Sequence, residues 1–174
     1  MKHIAIAAFS VSLLFFSATS LAQAEVEITW QDPEKFDDVR STSESRVKFR
    51  ERTFKELDEY INELAEDLPK GQKLVMNVTN LDLAGDVLPA SFAGLGQSMS
   101  DVRVVKPIYI PRMSFSYQLL SSDGTVLQEK EVKLKDMSFS NSHNRFFSSD
   151  ALRYEKNMIA DWFEDEFAKS DANK

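Results

Sequence analysis

The clearest hydrophobic pattern in the chain is the alternation of apolar and polar residues over 113–119. This period of two indicates a strand with one buried face. The segment 121–124 follows, and its Asp-Gly pair predicts a hairpin turn. We expect an even number of loop residues, because that register places Phe115 on the same face as Val132, whereas a one-residue slip turns every side chain over. The apolar residues of the return strand share one parity: Val126, Val132 and Leu134.

Residues 25–30 also alternate and predict the first strand. Residues 72–83 predict the second, and Val75 and Leu81, which are off its parity, indicate that it is covered on much of both faces. A helix is predicted between them, from the capping box at 41–44 to about Leu68, where Pro69 follows. Apolar residues recur along it every three or four positions, as on the buried face of a helix. They are Val47, Phe54, Leu57, Ile61, Leu64 and Leu68.

A second helix is predicted near the C-terminus. Ser148 or Ser149 is its expected N-cap, and Asp150 falls in its first turn, where a carboxylate is favourable. Its apolar residues predict packing against the sheet, and a frayed tail, 169–174, follows it. These apolar residues are Ala151, Leu152, Met158, Ile159, Trp162, Phe163 and Phe167.

The order of these elements predicts the fold class. A strand, a long helix and a second strand form a crossover unit, so the first two strands are expected to run parallel. The hairpin adds antiparallel strands. The chain is therefore predicted to be α+β, a two-layer sandwich in which two helices cover one face of a mixed sheet of about four to five strands. Residues 25–168 have the size of a single domain.

Residues 1–24 have the organisation of a secretory signal peptide. Lys2 and His3 give a short positive region, residues 4–16 are apolar, and Ala22-Gln23-Ala24 has the small-x-small form that precedes cleavage. We expect cleavage after Ala24 and a periplasmic protein. We expect no stable membrane insertion after cleavage, because the apolar run is too short for a comfortable membrane-spanning helix and no later segment resembles one.

Composition excludes several classes of chemistry. The full chain has a net charge of −7, and removing the signal peptide takes away only one charged residue, Lys2, which leaves −8. The electrostatic field of such a negatively charged protein repels nucleic acids, so we exclude them as partners. The absence of cysteine excludes disulfides and thiolate catalysis. His143 is the only histidine after cleavage, and we interpret it as a polar loop residue rather than a catalytic one. We predict no catalytic residue, metal or cofactor.

Residues 84–101 form the longest irregular segment and hold three of the five glycines. A loop of this length in a compact domain is either functional or disordered. Its apolar residues favour a lid or a surface for a partner, and the alternative is a plain flexible loop. Pro107 and Pro111 have no backbone N–H to donate to a neighbouring strand, so the strand that holds them is expected at an edge or bulge. The predicted ligand- or partner-binding residues are Leu88, Phe92, Leu95, Met99 and Arg112.

Charged residues near apolar faces give a second set of candidates. Glu155 lies within the apolar stripe of the last helix, and a buried carboxylate must find a cation or take up a proton. We predict a structural ion pair between Glu155 and Arg112. Asp82 and Asp86 lie near the end of the second strand, and carboxylate pairs can bind hard cations, although the ligand spacing is not that of an EF-hand.

Several short sequences together resemble one known family. The chain is similar to the bacterial exported family called domain of unknown function 3016 over essentially all of the part that follows the signal peptide. The resemblance implies an exported protein and assigns no activity. The sequences that carry it are LDLAG at 81–85, PRMSFSYQLL at 111–120, LKDM at 134–137, LRYEK at 152–156 and DWF at 161–163.

Three functions remain open. The first is a non-enzymatic periplasmic binding or adaptor protein of the cell envelope, with an unidentified envelope protein or lipid as its partner; it requires an exposed apolar patch. The second is an enzyme, a hydrolase, with Asp82, Asp86, Arg112 and Glu155 converging in one cleft. The third is a carrier with an enclosed pocket for a small apolar ligand beneath the 84–101 loop.

Overall fold

The structure is a computed structural model that describes residues 23–95 and 100–167. Residues 1–22, which hold almost all of the predicted signal peptide, and the predicted tail lie outside the described residues. Two helices and six strands follow one another in the described part. They are β1 (Glu25–Trp30), α1 (Arg46–Leu64), β2 (Lys73–Asp82), β3 (Asp86–Leu88), β4 (Val102–Val104), β5 (Arg112–Leu120), β6 (Val126–Lys135) and α2 (Arg153–Phe167).

A four-stranded sheet in the order β1-β2-β5-β6 forms the centre of the fold. β1 runs parallel to β2, whereas β2 with β5 and β5 with β6 are antiparallel. This arrangement confirms the predicted crossover around α1 and the α+β class with a mixed sheet. β3 and β4 pair with each other in a separate two-stranded ribbon, so the segment predicted to be irregular is partly a strand.

The hairpin register is confirmed, but its loop is not the predicted one. Phe115 lies opposite Val132, as expected. The Ser121 N–H donates to the Thr125 carbonyl at 2.9 Å, which encloses three residues, an odd number. A register shift at Leu119/Leu120 then restores the predicted pairing further along. The prediction for Val126 is therefore wrong: this side chain lies opposite Leu120 and is exposed.

One face of the sheet is buried and the other is open. Alternate side chains of β2 and β5 point into the core, where Leu57 and Ile61 of α1 and Ile159 of α2 meet them. The intervening residues of β5 are polar and only half-buried. Both helices thus cover the same face, as predicted. The buried residues of the two strands are Leu74, Met76, Val78, Leu81, Met113, Phe115, Tyr117 and Leu119.

α1 begins later than the capping box indicates. Its N-cap is Ser45, whose side chain accepts a hydrogen bond from the Lys48 N–H. The Ser41 hydroxyl accepts instead from the backbone N–H groups of Ser43 and Glu44, which makes a separate turn before the helix. Val47, predicted to be buried, is therefore in the exposed first turn.

α2 also begins later than predicted, and neither Ser148 nor Ser149 caps it. The Asp150 carboxylate accepts from the Leu152 N–H at 2.8 Å, and its carbonyl accepts from the Arg153 N–H. Ala151 lies in this turn and is exposed. The rest of the predicted apolar stripe is buried.

Candidate functional site

Charged residues gather at the end of the sheet where β2 finishes. The segment between β1 and α1 crosses this end, and Asp38 forms an isolated parallel bridge with Asp82. The neighbours of Asp38, Phe36 and Val39, are buried and fix the segment to the core. The β3–β4 ribbon starts four residues after β2. Three separate parts of the chain therefore contribute side chains to one place.

Arg103 of β4 is the centre of this cluster. Its Nη1 donates to Asp38 Oδ2 at 2.7 Å and to the carbonyls of Ala84 and Gly85, both at 3.3 Å. Its Nη2 donates to the carbonyls of Asp38 at 3.3 Å and Arg40 at 3.0 Å. Five bonds thus hold one guanidinium, which joins the pre-helical segment to the ribbon.

Arg40 closes the cluster on its other side. Its Nε donates to Asp38 Oδ1 at 2.8 Å, and its Nη2 donates to Asp86 Oδ1 at 3.2 Å and to the Val87 carbonyl at 3.1 Å. The hydrogen bond to Asp38 raises the pKa of Arg40. We call Asp38, Arg40, Asp86 and Arg103 the charged junction; opposite charges are paired throughout it.

Gly85 allows the ribbon to approach this closely. Its φ is +88°, in the left-handed region that favours glycine. A Cβ atom there would lie 3.0 Å from the Val104 carbonyl oxygen. A larger residue at this position would therefore push β4, and Arg103 with it, away from the end of β2.

Glu155 lies beside the charged junction and is the most deeply buried acid of the described residues, with 1% of its surface exposed. Its Oε1 accepts from the Ala84 N–H at 2.6 Å. Its Oε2 is buried without a hydrogen-bond partner. Burial raises the pKa of this carboxyl, and the bond from Ala84 and the nearby charge of Arg103 oppose the rise only in part.

A cavity of about 270 Å³ opens above Glu155. Arg103 lines it from the ribbon, Arg40 and Glu44 from the pre-helical segment, and Arg52 from α1. Apolar side chains, among them Phe49 and Leu152, and the hydroxyl residues at 41–43 and 53 complete the walls. We call this space the Arg52–Glu155 cavity. It combines three guanidinium groups, two carboxyl groups and an apolar wall.

The predicted ion pair between Arg112 and Glu155 is wrong. Arg112 Nη1 donates to Asp82 Oδ2 at 2.8 Å. Both residues lie outside the helix-covered core, because Leu81 and Met113 beside them occupy the buried positions of the strands. Glu155 is on the covered side, so alternation along the strands puts Arg112 on the opposite face of the sheet.

The four residues of the predicted hydrolase cleft are also divided. Asp82 is paired with Arg112 and Asp86 with Arg40. Of the four, only Glu155 lines the cavity. Burial raises the pKa of Asp82, although Arg112 opposes the rise. Within residues 23–95 and 100–167, no group of three or more histidine or acidic residues is arranged to hold a metal ion.

The predicted binding residues of the long loop take different positions. Leu88 is half-buried in β3, whereas Phe92 and Leu95 are exposed in the turns that follow. Met99 lies outside the described residues. His143 is exposed on the connection to α2.

Sequence analysis missed Asp38, Arg40 and Arg103. One signal was present: Arg103 interrupts an apolar run, Val102 to Val105, and a charge in such a strand requires a partner. The partner is 65 residues away in the chain, at Asp38. No local pattern identifies it.

Neither helix of the described part combines the length and the apolar content that crossing a membrane would require. None of the curated proteins compared with the chain matches it, and none of the solved structures does. A family comparison does find a match, over residues 24–165, to the sequences described as "Protein of unknown function (DUF3016)". This confirms the predicted family, and the match covers more than half of the sequence. The chain belongs to the DUF3016 family.

Proposed function

We propose that the protein is a non-enzymatic binding or adaptor protein of the bacterial cell envelope. Its docking surface would be the β3–β4 arm, which we define as residues 85–95 and 100–110. The observation that carries the proposal is the exposure of large apolar side chains on this arm. Phe92 is 82% exposed and Ile108 is 72% exposed, and Leu95 and Val105 are exposed as well.

The partner we favour is a protein. Several large apolar side chains exposed on one arm favour a surface that a partner covers, because apolar surface in water is costly. The net charge of −7 disfavours an anionic lipid surface, because the field of the protein repels it. A protein surface with apolar anchors and a polar rim suits this arm better.

The two alternatives have less support. A hydrolase would need its polar groups in one cleft, whereas Asp82 and Asp86 are each neutralised by a different arginine. A carrier of apolar ligands would need an enclosed apolar pocket. The cavity nearest the arm has arginine and carboxyl groups in its walls instead.

The test is covalent crosslinking of the exported protein in its own host, followed by mass spectrometry. The arm variant carries Phe92→Ser and Ile108→Ser together. The matched control is Phe147→Ser, which removes a side chain that is 86% exposed on the connection to α2. We expect one protein to be recovered with the wild type and the control but not with the arm variant.

Binding of that protein, once purified, should then be at least about tenfold weaker for the arm variant, since anchoring aromatic and aliphatic residues dominate such interfaces. Recovery of the same protein by the arm variant would contradict the proposal. So would a folded wild-type protein that recovers nothing.

A further inference from the structure

The Arg52–Glu155 cavity contains an acid whose hydrogen bonding is incomplete. Glu155 Oε1 already accepts from the Ala84 N–H, whereas the buried Oε2 has no partner. Buried polar atoms are nearly always hydrogen-bonded, because an unsatisfied one loses its hydration without compensation. Burial raises the pKa of Glu155, which favours the protonated acid. With Oε1 occupied as an acceptor, the proton belongs on Oε2, which then offers an O–H donor.

The three arginines of the cavity differ in how many of their N–H donors are already used in hydrogen bonds. Arg103 makes five hydrogen bonds and Arg40 makes three, all to the charged junction or to the carbonyls of Ala84, Gly85 and Val87. Arg52 makes one hydrogen bond among the described residues, from Nη2 to Glu44 Oε1 at 2.5 Å. A guanidinium has five N–H donors. Arg52 therefore has the most N–H donors left for a ligand.

These two groups select the charge of the ligand. Three guanidinium groups in the walls disfavour a cation. A guanidinium with unused donors, in the same cavity as a neutral O–H donor, suits a carboxylate, which accepts from both. One available guanidinium balances a single negative charge, as in a monocarboxylate, rather than the two charges of a phosphate.

The cavity also limits the size of the ligand. A volume of about 270 Å³ corresponds to about nine water molecules at ~30 Å³ each. Phe49 and Leu152 give the ligand an apolar surface to contact. We propose that the Arg52–Glu155 cavity binds a small organic monocarboxylate, whose carboxylate contacts Arg52 and the acid group of Glu155 and whose apolar part contacts Phe49 and Leu152.

Glu44 has a defined part in this proposal. Its carboxylate now pairs with Arg52 at the mouth of the cavity, where the ligand would compete with it. Removing the charge of Glu44 should therefore strengthen ligand binding. An ion pair that only supported the fold would give no such gain.

The test is an NMR titration of the purified ¹⁵N-labelled protein with benzoate. Benzamide and benzylamine, which have similar shapes but neutral and positive groups, are the comparison probes. We expect saturable shifts that include the Ala84 amide, with benzoate binding at least about tenfold more tightly than either. A peptide C-terminus carries the same carboxylate, so N-acetylphenylalanine is titrated in parallel, and the tighter of the two acids identifies the source.

Single substitutions assign the contacts. Arg52→Gln should weaken benzoate binding at least about tenfold, and Glu44→Gln should strengthen it. Glu155→Gln should retain binding, because the amide oxygen can accept from Ala84 while its NH₂ group replaces the O–H donor. Lys48→Gln is the control, since Lys48 is an exposed cation of α1 that does not line the cavity.

The pH dependence gives an independent measurement. Wild-type binding of benzoate should weaken as pH rises and Glu155 loses its proton, whereas binding by Glu155→Gln should not show this component. The charged groups that line the cavity or act on Glu155 come from four parts of the chain and are the same in both proteins. They are Arg103 of β4, Arg40 and Glu44 of the pre-helical segment, Arg52 of α1 and Arg153 of α2.

Several results would overturn the proposal. One is the absence of saturable benzoate binding to folded wild-type protein. Another is binding that is unchanged in Arg52→Gln. A third is benzamide, benzylamine or inorganic phosphate binding as tightly as benzoate. The exposed apolar residues of the β3–β4 arm, Phe92, Leu95, Val105 and Ile108, do not line this cavity, so failure here leaves the proposed protein partner untouched.

Discussion

Glu155 and Lys156 are consecutive buried residues of α2, but their side chains differ in how completely they are hydrogen-bonded. Lys156 is 9% exposed, and its Nζ donates to Glu56 Oε1 and Asp150 Oδ2, both at 2.8 Å. It also lies over the Phe146 ring, 5.9 Å from the centroid. Glu155 has one backbone donor and one oxygen without a partner.

The pKa shifts of the two residues express this difference. Burial acts to lower the pKa of Lys156, but the hydrogen bonds to Asp150 and Glu56 outweigh it, and the net shift is upward, towards the charged form. Burial raises the pKa of Glu155, and there the opposing contacts do not outweigh it. The charge of the lysine is fully paired, whereas the acid lines a cavity and has one buried oxygen without a hydrogen-bond partner.

Of the substitutions at fully paired charges, Arg103→Met is expected to lower the free energy of unfolding most. The change removes all five hydrogen bonds of the guanidinium and leaves Asp38 buried with Arg40 as its remaining cation. Breaking a buried ion pair from one side costs about 3–5 kcal/mol. We expect the free energy of unfolding, measured by urea denaturation, to fall by about 3 kcal/mol or more.

Arg112→Met is the matched control for that change. Arg112 is about half exposed and pairs with Asp82 on the open face. Exposed ion pairs contribute about 0–1 kcal/mol, so the loss should stay below about 1 kcal/mol. Equal losses for the two substitutions would mean that the charged junction contributes no more than a surface pair.

A smaller effect is expected for Lys156→Met, which keeps much of the aliphatic packing and removes the charge. Glu56 and Asp150 would then face each other without a cation, but both are partly exposed and water would solvate them. We expect a loss of about 2 kcal/mol in the free energy of unfolding, measured by urea denaturation. A loss near zero would contradict the view that the ion pairs of Lys156 stabilise the fold.

Local patterns predicted the sheet because its determinants are local. The alternation over 113–119 identified β5, and pairing with Val132 followed from the same parity. The helix starts were less certain, because several Ser and Asp residues near each end can act as caps. Ser45 caps α1 in place of Ser41, and the Asp150 carboxylate, instead of Ser148 or Ser149, accepts a hydrogen bond in the turn before α2. The hairpin loop was mispredicted because a bulge can restore a register that an odd loop disturbs.

The candidate site was predicted only in part, because its contacts join distant segments. Glu155 was recognisable as an acid within an apolar stripe, and its burial is confirmed. Its partner was not predicted correctly. The sequence analysis paired it with Arg112, whereas the Ala84 backbone N–H is the donor. A backbone N–H carries no side-chain identity, so no pattern in the sequence could indicate it. The Arg103–Asp38 contact depends on the separate β3–β4 ribbon, which was not predicted.

The smallest change in stability is expected for Glu155→Gln, and its dependence on pH is more informative than its size. The amide can keep the bond from Ala84, so the free energy of unfolding should change by no more than about 1 kcal/mol at low pH. Exposed Glu51→Gln on α1 is the control. Asp58, Asp82 and Asp161, whose pKa values burial also raises, are present in every protein compared, so their contributions cancel in the differences.

The sign of the pH effect follows from the raised pKa of Glu155. The folded state holds this proton more tightly than the unfolded state, where the ordinary value is 4.5. The stabilisation is therefore complete below that pKa and is lost as pH rises through the folded value. Wild type should lose stability over this range relative to Glu155→Gln, whereas Glu51→Gln should follow wild type. Parallel urea-denaturation curves for wild type and Glu155→Gln at every pH would mean that Glu155 is already charged in the fold, and the neutral donor of the cavity would be lost with it.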